Sequence, residues 1–217
     1  MAGGLIAEAV LVLVVLTNLV LLGSSRLRTC IRTVALQGIV ISALPVLFIG
    51  PENAVRASLL AVVGLALKGV VFPALLLRIL RDTGAKREVE PFVGPTLSLL
   101  AGVASLGFSI AVCARLDLPE LSEMSSLAAP AGLATLLVGL FVIVSRRKAL
   151  TQALGYVVLE NGIYVFGVAI VGEVPVLVEL GVLLDAFVAV FIMSIAAWHI
   201  SREFNDIDVD RLDRLKG

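Results

Sequence analysis

The stretch LTQALGYVVLENGIYVFGVAIVG, Leu150 to Gly172, decides the fold. It is apolar for long enough to cross roughly 30 Å of hydrocarbon as a helix. Glu160 and Asn161 nevertheless sit at its middle. A charge at that depth costs about 2.5–3.5 kcal/mol on insertion scales. The stretch therefore reads as a membrane span whose centre holds either a function or a fixed partner.

The rest of the chain agrees with a membrane setting. Hydrophobic residues make up 59% of it and charged residues only 16%, with a mean hydropathy of +1.08. Soluble domains are roughly half apolar and could not hide this much surface. Charged clusters punctuate seven apolar runs: 4–22, 29–49, 56–80, 92–113, 127–144, 150–171 and 176–200. The fold class is all-α, a polytopic membrane protein of seven transmembrane helices. Turn-forming connections such as GPEN (50–53) and GEVP (172–175) separate the runs. The first run has neither a basic leader nor a small-residue cleavage pattern, so it reads as a retained span.

Orientation follows from the basic residues. Of 17 Lys and Arg, all but Arg56, Lys68 and Arg115 fall on one face of this topology. Cytoplasmic loops accumulate such residues, which places the N-terminus outside and the C-terminus in the cytoplasm. Formal net charge is zero, so nothing points to nucleic acid; the bilayer is the expected surface partner. Cys30 and Cys113 fall at opposite ends of the membrane and have no ligand spacing. His199 beside Trp198 reads as an interfacial pair. No nucleophile triad, phosphate loop or metal cluster is present in the sequence, so no self-contained active site is expected and no cofactor is assigned to this chain.

Shifting the chain by 117 residues aligns it with itself without gaps. Gly38 falls on Gly155, Gly50 on Gly167, Gly64 on Gly181, and Lys68 on Asp185. An offset of four spans keeps the two units parallel. The expected organisation is tandem parallel three-helix repeats joined by one extra helix: residues 1–91, then 92–126 as the connector, 127–200 as the second repeat and 201–217 as a cytoplasmic tail.

Three spans carry an ionisable group near the midplane. At 1.5 Å per residue, Glu160 lies about 15 Å from the inner start of its span, Asp185 about 14 Å and Lys68 about 18 Å from the outer side. Gln37 lies slightly nearer the inner side, Asn161 shares the helix of Glu160, and Tyr164 is one turn along the same face. Glu179 sits three residues into the last span, as an access-path or interfacial acid. Acid, amine and amide at one depth can hold a proton at several sites of similar energy, which is what lateral relay requires. A static Lys68–Asp185 ion pair fixing the two repeats is the plainer alternative. Pro45 and Pro73 each free a backbone carbonyl and are expected to bend their helices.

GYVVLENG (155–162), ELGVLLDAFVAVFIM (179–193), LKGVVFP (67–73), FVGPTLSLLAG (92–102) and LDRLKG (212–217) carry a family resemblance. The chain resembles the hydrogenase-4 component E membrane subunits of energy-converting [NiFe] hydrogenase and formate hydrogenlyase complexes. Its second half is also similar to the K-type subunit of complex I and the C-type subunit of multisubunit sodium/proton antiporters. The resemblance implies a non-catalytic membrane-arm subunit of an oxidoreductase complex, with Glu160 as the acid of the K-type middle helix. It implies that any [NiFe] centre or iron–sulfur clusters belong to partner subunits. The implied neighbours are antiporter-like subunits and the membrane subunit that anchors the redox arm. The implied role is proton or sodium translocation coupled to electron transfer elsewhere. The first repeat departs from the pattern, with Ala43 in place of Glu160 and Lys68 in place of Asp185. A self-standing ion or solute transporter and a structural spacer subunit are the alternatives.

Overall fold

The computed structural model describes residues 2–48, 54–82, 92–116, 126–146, 148–171 and 191. Every regular element among them is helical: α1 (Ala2–Gly23), α2 (Leu27–Ile41), α3 (Leu44–Phe48), α4 (Ala54–Gly64), a π-helical turn (Leu65–Val71), α5 (Phe72–Asp82), α6 (Pro95–Cys113), α7 (Ala128–Ser145) and α8 (Ala149–Val171). These make six helices long and apolar enough to span a membrane, with α2 and α3 forming one span and α4 to α5 another. They coincide with the first six expected spans. The seventh, with Glu179, Asp185 and the cytoplasmic tail, lies outside the described residues apart from Phe191.

Both expected proline bends have a local form. Pro45 has no N–H to offer Ile41, so the helical ladder cannot run on unchanged. The chain turns at Ser42 and Ala43, and the Ser42 hydroxyl donates back to the Gly38 carbonyl at 2.7 Å. Pro73 likewise cannot donate to Gly69. The preceding turn widens to π geometry, in which the Phe72 N–H donates to the Leu67 carbonyl. Lys68 sits in that wide turn, a kind of irregularity that is frequent at functional sites.

The helices α1, α2, α7 and α8 form the centre. α7 and α8 approach closely because glycines line their contact. A β-carbon on Gly162 would run into the Leu136 backbone, and one on Gly139 into the Leu159 backbone. α1 and α7 run parallel. Asn18 of α1 bonds Thr135 of α7, and Arg146, just past α7, reaches the Leu22 carbonyl at the end of α1. Arg146 is buried there as a cap for α1, where a cation offsets the negative end of the helix.

Two apolar clusters divide this centre by depth. One gathers Leu22, Leu27, Ile31, Phe72, Leu76, Val142, Leu154 and Val158. The other gathers Leu11, Val14, Ile41, Leu44, Ala131 and Val165. Between them, on all four central helices and the π-helical turn, lies a polar layer: Thr17 and Asn18, Gln37, Lys68, Thr135, and Glu160 with Asn161, all buried. α4 and α6 turn large apolar side chains outward, among them Val55, Val62, Leu97, Leu100 and Phe108.

Candidate functional site

The polar layer is built from the π-helical turn inward. Gly38 of α2 has no side chain, and a β-carbon there would stand 2.7 Å from Cβ of Lys68. That gap lets the lysine stem press against α2 while the extra residue of the π turn carries its head towards α8. The Lys68 ammonium lies 2.9 Å from Glu160 Oε1, with both side chains almost wholly buried. It also lies 4.7 Å from the centre of the Tyr164 ring, within cation–π range. Glu160 and Tyr164 share one face of α8, so one helix presents the carboxylate and the ring to the same cation.

The ion pair is a charge contact with spare capacity. The second carboxylate oxygen, Glu160 Oε2, has no hydrogen-bond partner among the described residues. Buried polar atoms are usually satisfied, and those that are not call for a reason. Here that oxygen belongs to a carboxylate already paired with a buried ammonium.

Next to the pair runs a chain of amides. Asn161 donates to Gln37 Oε1 at 3.1 Å. Gln37 donates to Asn18 Oδ1 at 2.8 Å and to the Thr17 hydroxyl at 3.1 Å. Asn18 donates to the Thr135 hydroxyl at 2.8 Å, and Thr135 donates to the Ala131 carbonyl at 2.7 Å. The chain thus crosses from α8 through α2 and α1 to α7. Amides have no titratable proton in the physiological range, so this arm positions groups, and Glu160 and Lys68 are the charged members of the layer.

Of the residues singled out by sequence, Glu160, Lys68, Gln37, Asn161 and Tyr164 converge on this layer. The lysine faces Glu160 on the other half of the chain. Asp185, its alternative partner by depth, falls outside the described residues, as does Glu179. Asn18, Thr17, Thr135 and the gap at Gly38 are parts of the site that sequence reasoning missed. One signal was present for two of them, because Asn18 and Thr135 are 117 positions apart, the offset at which the chain repeats. Neither Cys30 nor Cys113 forms a disulfide among the described residues.

Fold and site together define a multi-pass helical membrane protein that keeps an ion pair and an amide chain buried at mid-depth. The model of the NADH-ubiquinone/plastoquinone oxidoreductase chain 4L family matches residues 128–217, the half that supplies Glu160, Asn161 and Tyr164. The chain is 33% identical to the uncharacterized protein Rv0085 of Mycobacterium tuberculosis, over 99% of its own length and 94% of that protein. It is 32% identical to hydrogenase-4 component E of Escherichia coli K12, over 69% of each chain, and equally to the Shigella flexneri protein of that name. No solved structure gives a significant match. The chain belongs to the hydrogenase-4 component E family.

Proposed function

We propose that this chain is a membrane-arm subunit of a complex I-like, hydrogenase-type redox complex, and that Glu160 and Lys68 are charge-exchanging sites on its ion path. The observation that carries this is the Glu160–Lys68 pair itself, 2.9 Å apart and buried between the two halves of the chain. Proton uptake by Glu160 removes the charge that holds the lysine. The lysine then responds to any nearby change in charge. Gln37, Asn161 and Tyr164 hold the pair in register. Glu179 and Asp185 extend the path in the remaining span. Family membership and the similarity of residues 128–217 to chain 4L support the assembly. The neighbours are antiporter-like subunits and the anchor of the redox arm, which carries whatever iron–sulfur or [NiFe] centres the complex holds. The setting is the prokaryotic inner membrane with the C-terminus in the cytoplasm. The bond between Asn18 and Thr135, one repeat apart, supports the reading of two parallel repeats that meet at α1 and α7.

Glu160→Gln in the intact complex tests the reading. Electron transfer and assembly should persist while ion translocation per electron falls at least tenfold. Unchanged translocation would overturn it. A second reading is favoured by one observation, that the pair joins the two halves: it acts as a clamp. Replacing both residues by Met separates the readings, because a clamp is satisfied by well-packed apolar groups and a proton site is not.

A further inference from the structure

We infer that Tyr164 is a positioning residue whose ring face keeps the Lys68 ammonium in the polar layer while Glu160 is neutral. The inference rests on the reading of Glu160 as a proton site, and it adds what holds the lysine between proton uptake and release.

Lys68 has two partners on one helix face. Its ammonium lies 2.9 Å from Glu160 Oε1 and 4.7 Å from the centre of the Tyr164 ring, over the face of that ring. Residues four apart on a helix are neighbours, so the carboxylate and the ring meet the same cation one turn apart. The other side of the lysine offers no second counter-charge. There α2 presents Gly38 to the lysine stem, and its Ile39 packs on Gly69 of the same π-helical turn. Gln37, the polar group of α2 at this depth, gives its amide protons to Asn18, Thr17 and the Val14 carbonyl and its oxygen to Asn161. Among the described residues, Glu160 is the only acid within ion-pair distance of Lys68.

That geometry leaves the ring as the lysine's second hold. When Glu160 takes up a proton, its charge no longer attracts the ammonium. A buried cation without a counter-charge is costly in a membrane, and it either moves its head towards water or gives up its proton. The face of Tyr164 attracts the ammonium in both states of Glu160, because the ring quadrupole does not depend on a neighbour's proton. Such attraction is strongest where water is excluded, which is the setting of this buried pair. The ring therefore keeps the ammonium within reach of Glu160, in place to pair with the carboxylate again once the proton leaves. It does so without adding a charge at mid-depth.

The test is the thermal transition of the intact complex in mild detergent. Tyr164→Phe is the reference, and mono-, di- and trifluorophenylalanine are placed at the same position. Fluorines withdraw negative charge from the ring face with little change in its shape. The transition should fall step by step with fluorination. The fall should be about twice as large or more when Glu160→Gln is also present, because the ring is then the main hold on the lysine. With Lys68→Met the series should be flat. A flat series with Lys68 present overturns the inference. Equal slopes with and without Glu160→Gln, or a slope that survives Lys68→Met, overturn it as well, because the ring is then a packing contact. These outcomes are separate from the test of function: a Glu160→Gln complex that translocates normally refutes the proton-site role and leaves the fluorination series to be read on its own.

Discussion

Gly38 and Lys68 are in contact only because one of them has no side chain: a β-carbon at Gly38 would lie 2.7 Å from the lysine Cβ. The absent methyl is what sets the depth to which the π-helical turn settles against α2, and so how far the ammonium reaches towards Glu160.

Gly38→Ala should therefore weaken the ion pair without removing a charge. Overpacking at such a contact costs about 1–3 kcal/mol, within what an assembled membrane bundle tolerates. Translocation should fall several-fold with electron transfer retained. The check is ion movement per electron in proteoliposomes, where wild-type coupling in the variant would show that the lysine position is not critical.

Single and double substitutions of the ion pair should be strongly non-additive. Removing one partner leaves a buried charge alone and destabilises by about 3–5 kcal/mol, whereas replacing both by well-packed apolar groups is often neutral. Lys68→Met and Glu160→Met should each lower the thermal transition of the complex in mild detergent, and the double variant should recover most of the loss. Recovery of stability with no recovery of translocation is the expected pattern. Additive losses would mean that the two side chains do not depend on each other.

The polar layer was legible in the sequence because the membrane makes polar groups conspicuous. Glu160, Lys68, Gln37 and Asn161 stand out against apolar spans, and a rise of 1.5 Å per residue places them near one depth. Depth does not give direction around the helix. Counting from span ends puts Lys68 level with both Glu160 and Asp185, and it is the π-helical turn, whose extra residue rotates the lysine, that aims it at Glu160. Asn18 and Thr135 were hidden for another reason. A lone amide or hydroxyl in a span is common and costs little when it bonds locally, so only their matched repeat positions marked them. The buried role of Arg146 was masked by its place in a cluster of loop cations, where position alone reads as inner-face charge.

Pro73 should be required for that rotation. Pro73→Ala restores the N–H that lets Gly69 rejoin a regular ladder, and the wide turn at 65–71 is then free to tighten to α geometry. Removing one residue from a turn rotates the helix on its N-terminal side by about 100° relative to the helix on its C-terminal side, which takes Lys68 off Glu160. The variant should assemble, because alanine is a better helix former, yet lose coupling to the same degree as Lys68→Met. A cysteine pair replacing Lys68 and Glu160 offers an independent check: cross-linking by a short reagent should drop when Pro73→Ala is added.

The close approach of α7 and α8 should be the least tolerant feature of the fold. Gly139 and Gly162 each face the backbone of the opposite helix, and backbone cannot move aside as a flexible side chain does. Small residues at such interfaces are what permit tight helix association in lipid. Gly162→Leu forces α8 away from α7, and it also moves Asn161 and Glu160, because they lie one and two residues along the same helix. Loss of the subunit from the purified complex is the expected result, and Gly162→Ala should give a partial loss. Gly107→Leu is the control, since a β-carbon at that position meets nothing within 4 Å. It should leave assembly intact. Equal assembly of the Gly162→Leu and Gly107→Leu proteins would show that α7 and α8 do not approach as closely as their glycines permit.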